Sequence, residues 1–526
     1  MKIKQFWVGT FLLLLLLTGS CFLYRSTPVT LRTSLWTHNL LRNWKEFGVL
    51  QFQGKMPINP GGFPLPNQPH FYPGHRPFMF YPAYLLGQTP IHGAVGCDDE
   101  TPFFLALSLV IGFGVWRLLG GGPVAITAAA LVVFSPAYIR LAAILDPVPV
   151  PVLLAIPFLY WTRHLLAKEH LTAGGVGVLG VVVALYSLLN WTSVIGFGIV
   201  LAYLVVALRG KWKRVAAFTL LVGLAGAAVM AASLISKASA TVSTSSTDLL
   251  SQWFNMYLFG PKGYDGQSMT WTRASIRLTV ANGVILFPLW LLLLWAGGKV
   301  ARQDKRIGPG LGLALLPLLV SILAVAGLRN YFAHHPWMAG PVLICGIVFS
   351  LRLLLDRFAQ PKIAPAATAA PRAWWGAGLA LGGGFIFGYI LVVGLGANSA
   401  VDDSIARFAR KHTDRHDLIF YSPKDDPWFV QYNPERLAEI MDRALIPLSE
   451  SNELPKALPV WPGARYQLST KASWGNQPWL ARTETTPLPG GQLTTRLLDW
   501  YRTHIAKRVK GDRLEAEGAL YLYKRP

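Results

Sequence analysis

The chain is poor in cysteine, in charge and in acidic residues, and each shortage narrows what it is. It has three cysteines in 526 residues. Cys21 and Cys345 lie inside apolar segments and Cys97 stands alone in a polar loop, so neither a disulfide framework nor a cysteine metal cluster is indicated. Charged residues make up 14% of the chain against 52% hydrophobic ones. The apolar residues come in blocks of about twenty rather than in amphipathic periods, which excludes an ordinary water-soluble domain and gives a polytopic α-helical membrane protein. No internal repeat is present, which disfavours transporters built from duplicated halves. Acidic residues number 26 against 48 Lys and Arg, a net charge of +22. In a soluble protein that excess points to nucleic acid; here the positions of the cations decide otherwise.

Hydropathy gives about eleven spans, centred near residues 15, 110, 131, 156, 181, 200, 225, 290, 318, 346 and 385. The first block, FWVGTFLLLLLLTGSCFLY, has a weak likeness to a cleaved signal or lipoprotein box, but its core is long enough to span the bilayer. Lys2 and Lys4, Arg163 and Lys168, the group from Arg209 to Arg214, the group from Lys299 to Arg306, and Arg352, Arg357, Lys362 and Arg372 all fall in connections on one side. That side is assigned to the cytoplasm of an inner or plasma membrane. Much of the charge is thus topological, met by anionic lipid headgroups, and no nucleic-acid partner is called for.

The opposite, extracytoplasmic side then receives a loop from about 25 to 100, a turn around Asp146, a loop from about 238 to 280, a turn around His334 and a tail. The division predicted is a transmembrane domain, 1–397, and a small extracytoplasmic α/β domain, 398–526. In the first loop, Leu35, Leu40, Leu41, Trp44 and Phe47 recur at helical spacing and predict an interfacial helix. TDLLSQWFNMYLFG in the later loop predicts a second one. In the tail, VDDSIARFARKH, PERLAEIMDRAL and QLTTRLLDWYRTHI read as helices, and DLIFYS and ALYLYK as strands.

The unusual chemistry lies on the outer side. Asp146 opens a span in ILDPVPV, where an ionisable group is costly and function competes with simple capping of the helix that follows. FYPGHRPFMFYPAYLLG sets His75 and Arg76 among prolines and then aromatics, Tyr81 included. These cations are either phosphate contacts or interfacial anchors beside an aromatic belt. Lys262 in FGPKGYDG is a further candidate phosphate contact. Arg329, Tyr331, His334 and His335 gather in one turn that is placed to meet a headgroup or an acceptor. Asp98, Asp99 and Glu100 offer three carboxylates to a divalent cation, the one cofactor considered; acids at the start of a span also answer the helix dipole without any metal.

RLLGGGPVAITAAALVVFSPAYIRLAAILDPVPV, from Arg117 to Val150, resembles the core of the GT-C glycosyltransferases of the protein O-mannosyltransferase and aminoarabinose transferase type, lipopolysaccharide galacturonosyltransferase-like relatives included. HRPFMFYPAYLLG resembles that family's first-loop motif of Lys-Pro-Pro, aromatics and a Leu-Gly or Phe-Gly, with Arg76 in the lysine's place. The likeness covers about residues 5 to 210, with LRNYFAHHPWMAGP similar to a late outer turn.

The resemblance implies a GT-C fold and transfer of a sugar from a polyprenyl-phosphate donor to a hydroxyl on a glycan, lipid or protein acceptor. It also implies that Arg76 pairs with the donor phosphate, a role an arginine fork suits. By the family's spacing its acidic pair falls near Thr33 and Ser34 here, and neither is a carboxylate. Inverting transfer needs a proton acceptor, so Glu46, His38 and Asp146 become the candidate bases. Glu46 and His38 on one helix sit about 80° apart in projection and about 12 Å apart along the axis. The rival classes are a polyprenyl-lipid flippase or silent relative, which needs no base, and a membrane scaffold whose outer domain binds a partner.

Overall fold

The structure, a computed structural model, describes residues 14–20, 23, 35–52, 78, 80–88, 101–142, 149–167, 172–189, 192–240, 271–303, 307–329, 332, 338–358, 371–396, 408–409, 411–422, 438, 441, 443–447, 464–469, 481–487 and 519–524. Its helices in chain order are α1 (Leu35–Phe47), α2 (Phe80–Gly87), α3 (Thr101–Leu118), α4 (Pro123–Val133), α5 (Pro136–Ala142), α6 (Pro149–Leu153), α7 (Ala155–Ala167), α8 (Ala173–Leu189), α9 (Ser193–Ala207), α10 (Trp212–Ala240), α11 (Trp271–Ile285), α12 (Phe287–Gln303), α13 (Ile307–Ala314), α14 (Leu316–Gly327), α15 (Ala339–Phe358) and α16 (Pro371–Gly396). The strands are β1 (Leu418–Tyr421), β2 (Ala444–Pro447), β3 (Ala464–Ser469), β4 (Ala481–Pro487) and β5 (Ala519–Lys524). The chain forms two units: Met1–Tyr24 with Phe78–Leu391, and Arg25–Pro77 with Val392–Pro526. This partition departs from a linear cut at residue 397, because segment 25–77 groups with the tail.

The first unit is helical and centres on α15, which packs against α6, α9, α12 and α14. Val342, Ile344, Ile347, Val348, Phe349 and Leu351 on α15 are fully buried. Small residues let its backbone approach α14 closely: a Cβ on Gly346 would stand 3.0 Å from the Leu318 Cα. The outer faces are apolar instead of charged, with Leu185, Leu220, Leu294, Leu323, Leu379 and Ile386 all exposed. An apolar outer surface of that extent suits contact with lipid, not water.

Each of the eleven predicted span centres falls within a helical stretch. Among the described residues, two helical stretches are long and apolar enough to cross a bilayer alone, Val150–Ala167 and Ala339–Arg357, or up to four if bent pairs count as single spans. The bends have local causes. Leu286 separates α11 from α12 at 77°, with Pro288 two residues on in the first turn of α12, where a missing N–H is tolerated. Arg209–Lys211 turns α9 into α10 at 100°. Basic residues that the sequence assigns to topology also cap a helix here: Lys211 Nζ donates to the Ala167 carbonyl at 2.7 Å and Arg214 Nη1 to that of Leu166 at 2.9 Å. The outer loop predicted from about 238 to 280 is shorter than expected, because α10 runs to Ala240 and α11 starts at Trp271; its predicted interfacial helix lies outside the described residues.

The second unit holds α1 and a five-stranded mixed sheet of order β2-β1-β3-β5-β4. β1 pairs in parallel with β2 and β3, while β5 runs antiparallel to β3 and β4. All four β1 residues are buried, as a central strand of apolar residues demands. The strands predicted at DLIFYS and ALYLYK are β1 and β5. The helix predicted at PERLAEIMDRAL is cut short, since Ala444 already begins β2. The helix predicted at QLTTRLLDWYRTHI lies outside the described residues.

Candidate active site

α1 carries two opposed characters. Leu40, Leu41 and Trp44 are buried, so the face read as lying on headgroups is covered by protein. Asn39, Asn43 and Glu46, spaced four and three residues apart, form a polar stripe on the same helix. Asn39 and Asn43 are fully buried as well. Gly48 ends the helix in the left-handed region, φ 84°, with its N–H donating to the Trp44 carbonyl at 2.9 Å.

The stripe meets a turn in the tail. Residues 414–417 form a tight turn just before β1: the Asp417 N–H donates to the Asp414 carbonyl at 3.1 Å, and the Asp414 N–H donates to Asp417 Oδ2 at 2.6 Å. Arg415 and His416 are its central residues. Arg415 Nη1 pairs with Glu46 Oε2, and its Nη2 donates to Asn43 Oδ1 at 2.6 Å. His416 Nε2 pairs with the other Glu46 oxygen, Oε1. The Phe47 ring stands edge-on to the imidazole, with centroids 6.4 Å apart. Both carboxylate oxygens of Glu46 are therefore engaged, one by a fixed cation and one by an imidazole.

The turn is supported from beneath. Arg443, only 3% exposed and placed one residue before β2, donates from Nε to Thr413 Oγ1 at 2.7 Å and from Nη2 to the Thr413 carbonyl at 2.6 Å. Nη1 reaches the Met441 carbonyl at 3.3 Å. A buried guanidinium must spend its donors on fixed acceptors, and here they hold the residue preceding the turn.

Of the predicted site residues, Glu46 and His38 lie on α1, at its C-terminal end and in its first half; the His38 side chain lies outside the described part. Tyr81 sits in the first turn of α2, its ring edge-on to Phe78 at 6.0 Å. Burial pushes the Tyr81 phenol above its ordinary value, which keeps it a neutral hydrogen-bond donor. Arg329 follows the C-terminal end of α14, half-buried, where a cation complements the last carbonyls. Asp146, His75, Arg76, Lys262, Tyr331, His334, His335, Asp98, Asp99 and Glu100 lie outside the described residues. Among the described residues there is no group of three or more His, Cys, Asp or Glu able to hold a metal ion.

The SP of the first-unit motif has a structural role: Ser135 accepts from the Tyr138 N–H at 3.1 Å as the N-cap of α5, with Pro136 next to it. The Tyr138 hydroxyl then meets Ser108 of α3 at 2.9 Å, in the buried interior. Sequence reasoning missed Arg415, His416 and Arg443. KHTDRHDLIF has the composition of an ordinary charged turn before a strand, and nothing in it points to a helix 370 residues earlier in the chain.

Neither a family model nor a curated protein matches the sequence. Solved structures do. ArnT from Cupriavidus metallidurans bound to undecaprenyl phosphate superposes with a TM-score of 0.53 at 12% identity, over 99% of this chain and 98% of that one. The chain has the GT-C fold. Two further solved structures give lower scores. The archaeal oligosaccharyltransferase AglB from Archaeoglobus fulgidus, in complex with an inhibitory peptide and a dolichol-phosphate, gives a TM-score of 0.45 at 12% identity over 89% of this chain and 70% of that one. Arabinofuranosyltransferase AftD from Mycobacteria gives 0.45 at 13% identity, over 98% of this chain and 40% of that longer one.

Proposed function

We propose that the protein is a membrane glycosyltransferase that moves a sugar from a polyprenyl-phosphate donor to an acceptor hydroxyl on the extracytoplasmic side. The observation that carries this reading is the end-to-end correspondence of fold with an ArnT that was crystallised with undecaprenyl phosphate. The apolar outer surface of the helical unit supports the membrane location, and the cations of the first outer loop support the donor class. In this reading Arg76, assisted by His75 and Lys262, receives the donor phosphate through charge-assisted hydrogen bonds. Tyr81 and the neighbouring aromatics hold the chain at the interface, while Asp146 and the turn of Arg329, Tyr331, His334 and His335 line the acceptor side. The acceptor is a glycan, a lipid or a protein. The second unit, with the sheet, faces the periplasm or exterior.

The test is sugar transfer by purified protein from a panel of polyprenyl-phosphate sugars. Turnover by the wild type, abolished together with donor binding in Arg76→Ala and lost with binding retained in Asp146→Asn, is the expected result. Donor binding with no turnover on any donor tried would instead mark a lipid flippase or a catalytically silent relative. The non-acidic Thr33 and Ser34, near which the family's acidic pair falls, favour that second reading.

A further inference from the structure

A general base needs a free lone pair facing the hydroxyl it deprotonates. Glu46 was one of the sequence's three candidates, with His38 and Asp146, yet its Oε2 is held by Arg415 and its Oε1 by His416. The imidazole is different. Its Nε2 is the atom on Glu46, and the ring is about half exposed, at 52%. A neutral imidazole that donates Nε2–H to a carboxylate carries its lone pair on Nδ1. Nδ1 makes no hydrogen bond with any described residue, and the ring is held edge-on by Phe47.

The arrangement is that of a carboxylate which orients a histidine and stabilises its protonated form. Everything around it fixes position. Arg415 and Asn43 hold Glu46 from one side, the Asp414–Asp417 bonds fix the turn that carries the ring, and buried Arg443 fixes Thr413 just before it. Of the turn's own acids, Asp417 has its carboxylate engaged by the Asp414 N–H.

We propose that His416, not Glu46, takes the acceptor's proton in the transfer reaction, with Glu46 as the residue that positions it. The inference rests on the glycosyltransferase reading. In the step, the acceptor O–H bond breaks and its proton passes to His416 Nδ1. The oxygen's electron pair forms the bond to the anomeric carbon, and the bond from that carbon to the phosphate oxygen breaks, its electron pair leaving with the polyprenyl phosphate. The resulting imidazolium is balanced by the Glu46 carboxylate. Arg415 holds the other oxygen of that carboxylate, so the three side chains together go from neutral to a charge of +1 when the proton arrives.

His416→Gln tests this directly, because the glutamine amide still donates to Glu46 but has no basic nitrogen. The expected result is a fall in kcat of about 100-fold or more, with binding of a polyprenyl phosphate unchanged and with turnover of His416→Ala restored in part by added imidazole. Glu46→Gln lowers kcat with donor affinity retained, the signature of lost positioning. Turnover of His416→Gln within about tenfold of wild type overturns the proposal. So does its loss with no response of His416→Ala to imidazole, since the residue then serves only to hold the unit together. Failure of the wild type on every donor is a separate outcome, visible before any variant is made, and sinks the glycosyltransferase reading itself.

Discussion

Asp356 in the helical unit and Glu46 in the mixed unit each face two basic side chains, and the partners differ in kind. Asp356, near the end of α15, accepts from Arg163 of α7 at 3.2 Å and from Arg352 one turn earlier at 3.1 Å. Arg163 in turn lies over the Tyr203 ring of α9, 5.7 Å from its centroid. Both partners there are guanidiniums, and the cluster ties three helices together. Around Glu46 one partner is again a fixed guanidinium, but the second is an imidazole with a nitrogen to spare. Two cations on a carboxylate make a fastener; one cation and one imidazole make a fastener that also handles a proton.

The largest effect on stability comes from the Asp356 cluster. Asp356→Ala leaves two partly buried guanidiniums facing each other, and costs about 2 kcal/mol, since hydrogen bonds to charged groups are worth more than neutral ones and an unpaired charge adds repulsion. A fall in Tm in detergent, with kcat at a permissive temperature within about twofold of wild type, is the expected pattern. Were Asp356→Ala to abolish turnover in folded protein as Glu46→Gln is expected to, the two clusters would not differ in role.

Next comes the support of the turn. Arg443→Met removes three hydrogen bonds to Thr413 and Met441 while keeping much of the side-chain volume, and costs about 1–2 kcal/mol. The loss is local to the second unit. Amide exchange of Leu418–Tyr421 should accelerate about tenfold or more, with the amides of α15 unaffected. Equal acceleration in both units would show that they unfold as one.

Arg415→Ala is expected to be milder, about 1 kcal/mol, because its pair with Glu46 is partly open to water. Its sharper reading is a double-mutant cycle with Glu46→Gln: a coupling of about 0.5–1 kcal/mol places the two in one contact. A coupling near zero would detach α1 from the turn and leave His416 without its orienting carboxylate.

How far the sequence could lead is clearest in these same residues. The helical unit was legible because lipid imposes long apolar runs, and all eleven predicted centres fall in helical stretches. The interior strands β1 and β5 were legible because each is a short apolar or alternating run. β4, ARTETTP, was not: as an edge strand it has polar side chains and a terminal proline, which read as loop. β2 was hidden inside an apparent helix, because four residues are too few to show a period. Glu46 was singled out from its place in the first loop, but its partners were invisible, since an ion pair between residues 369 apart leaves no local pattern. The grouping of segment 25–77 with the tail was invisible for the same reason: hydropathy reports a segment's solvent, not its neighbours.

The smallest contrast is a titration in the helical unit. Tyr81 has its phenol pushed up by burial from a reference near 10.0. A group whose folded pKa is raised holds its proton more tightly when folded, so stability is unaffected below pH 10 and declines as pH rises past it. Tyr81→Phe has no proton to lose there. Its Tm should match wild type at pH 7 and fall less steeply above pH 10, a difference best read as the slope of Tm against pH, because the other tyrosines contribute equally to both curves. The phenol is largely exposed to solvent screening, so the effect is slight, and it separates the neutral donor from the fixed charges at Asp356. Parallel slopes would mean that the Tyr81 phenol meets the same surroundings folded and unfolded, and would remove it from the residues that hold the donor's chain at the interface.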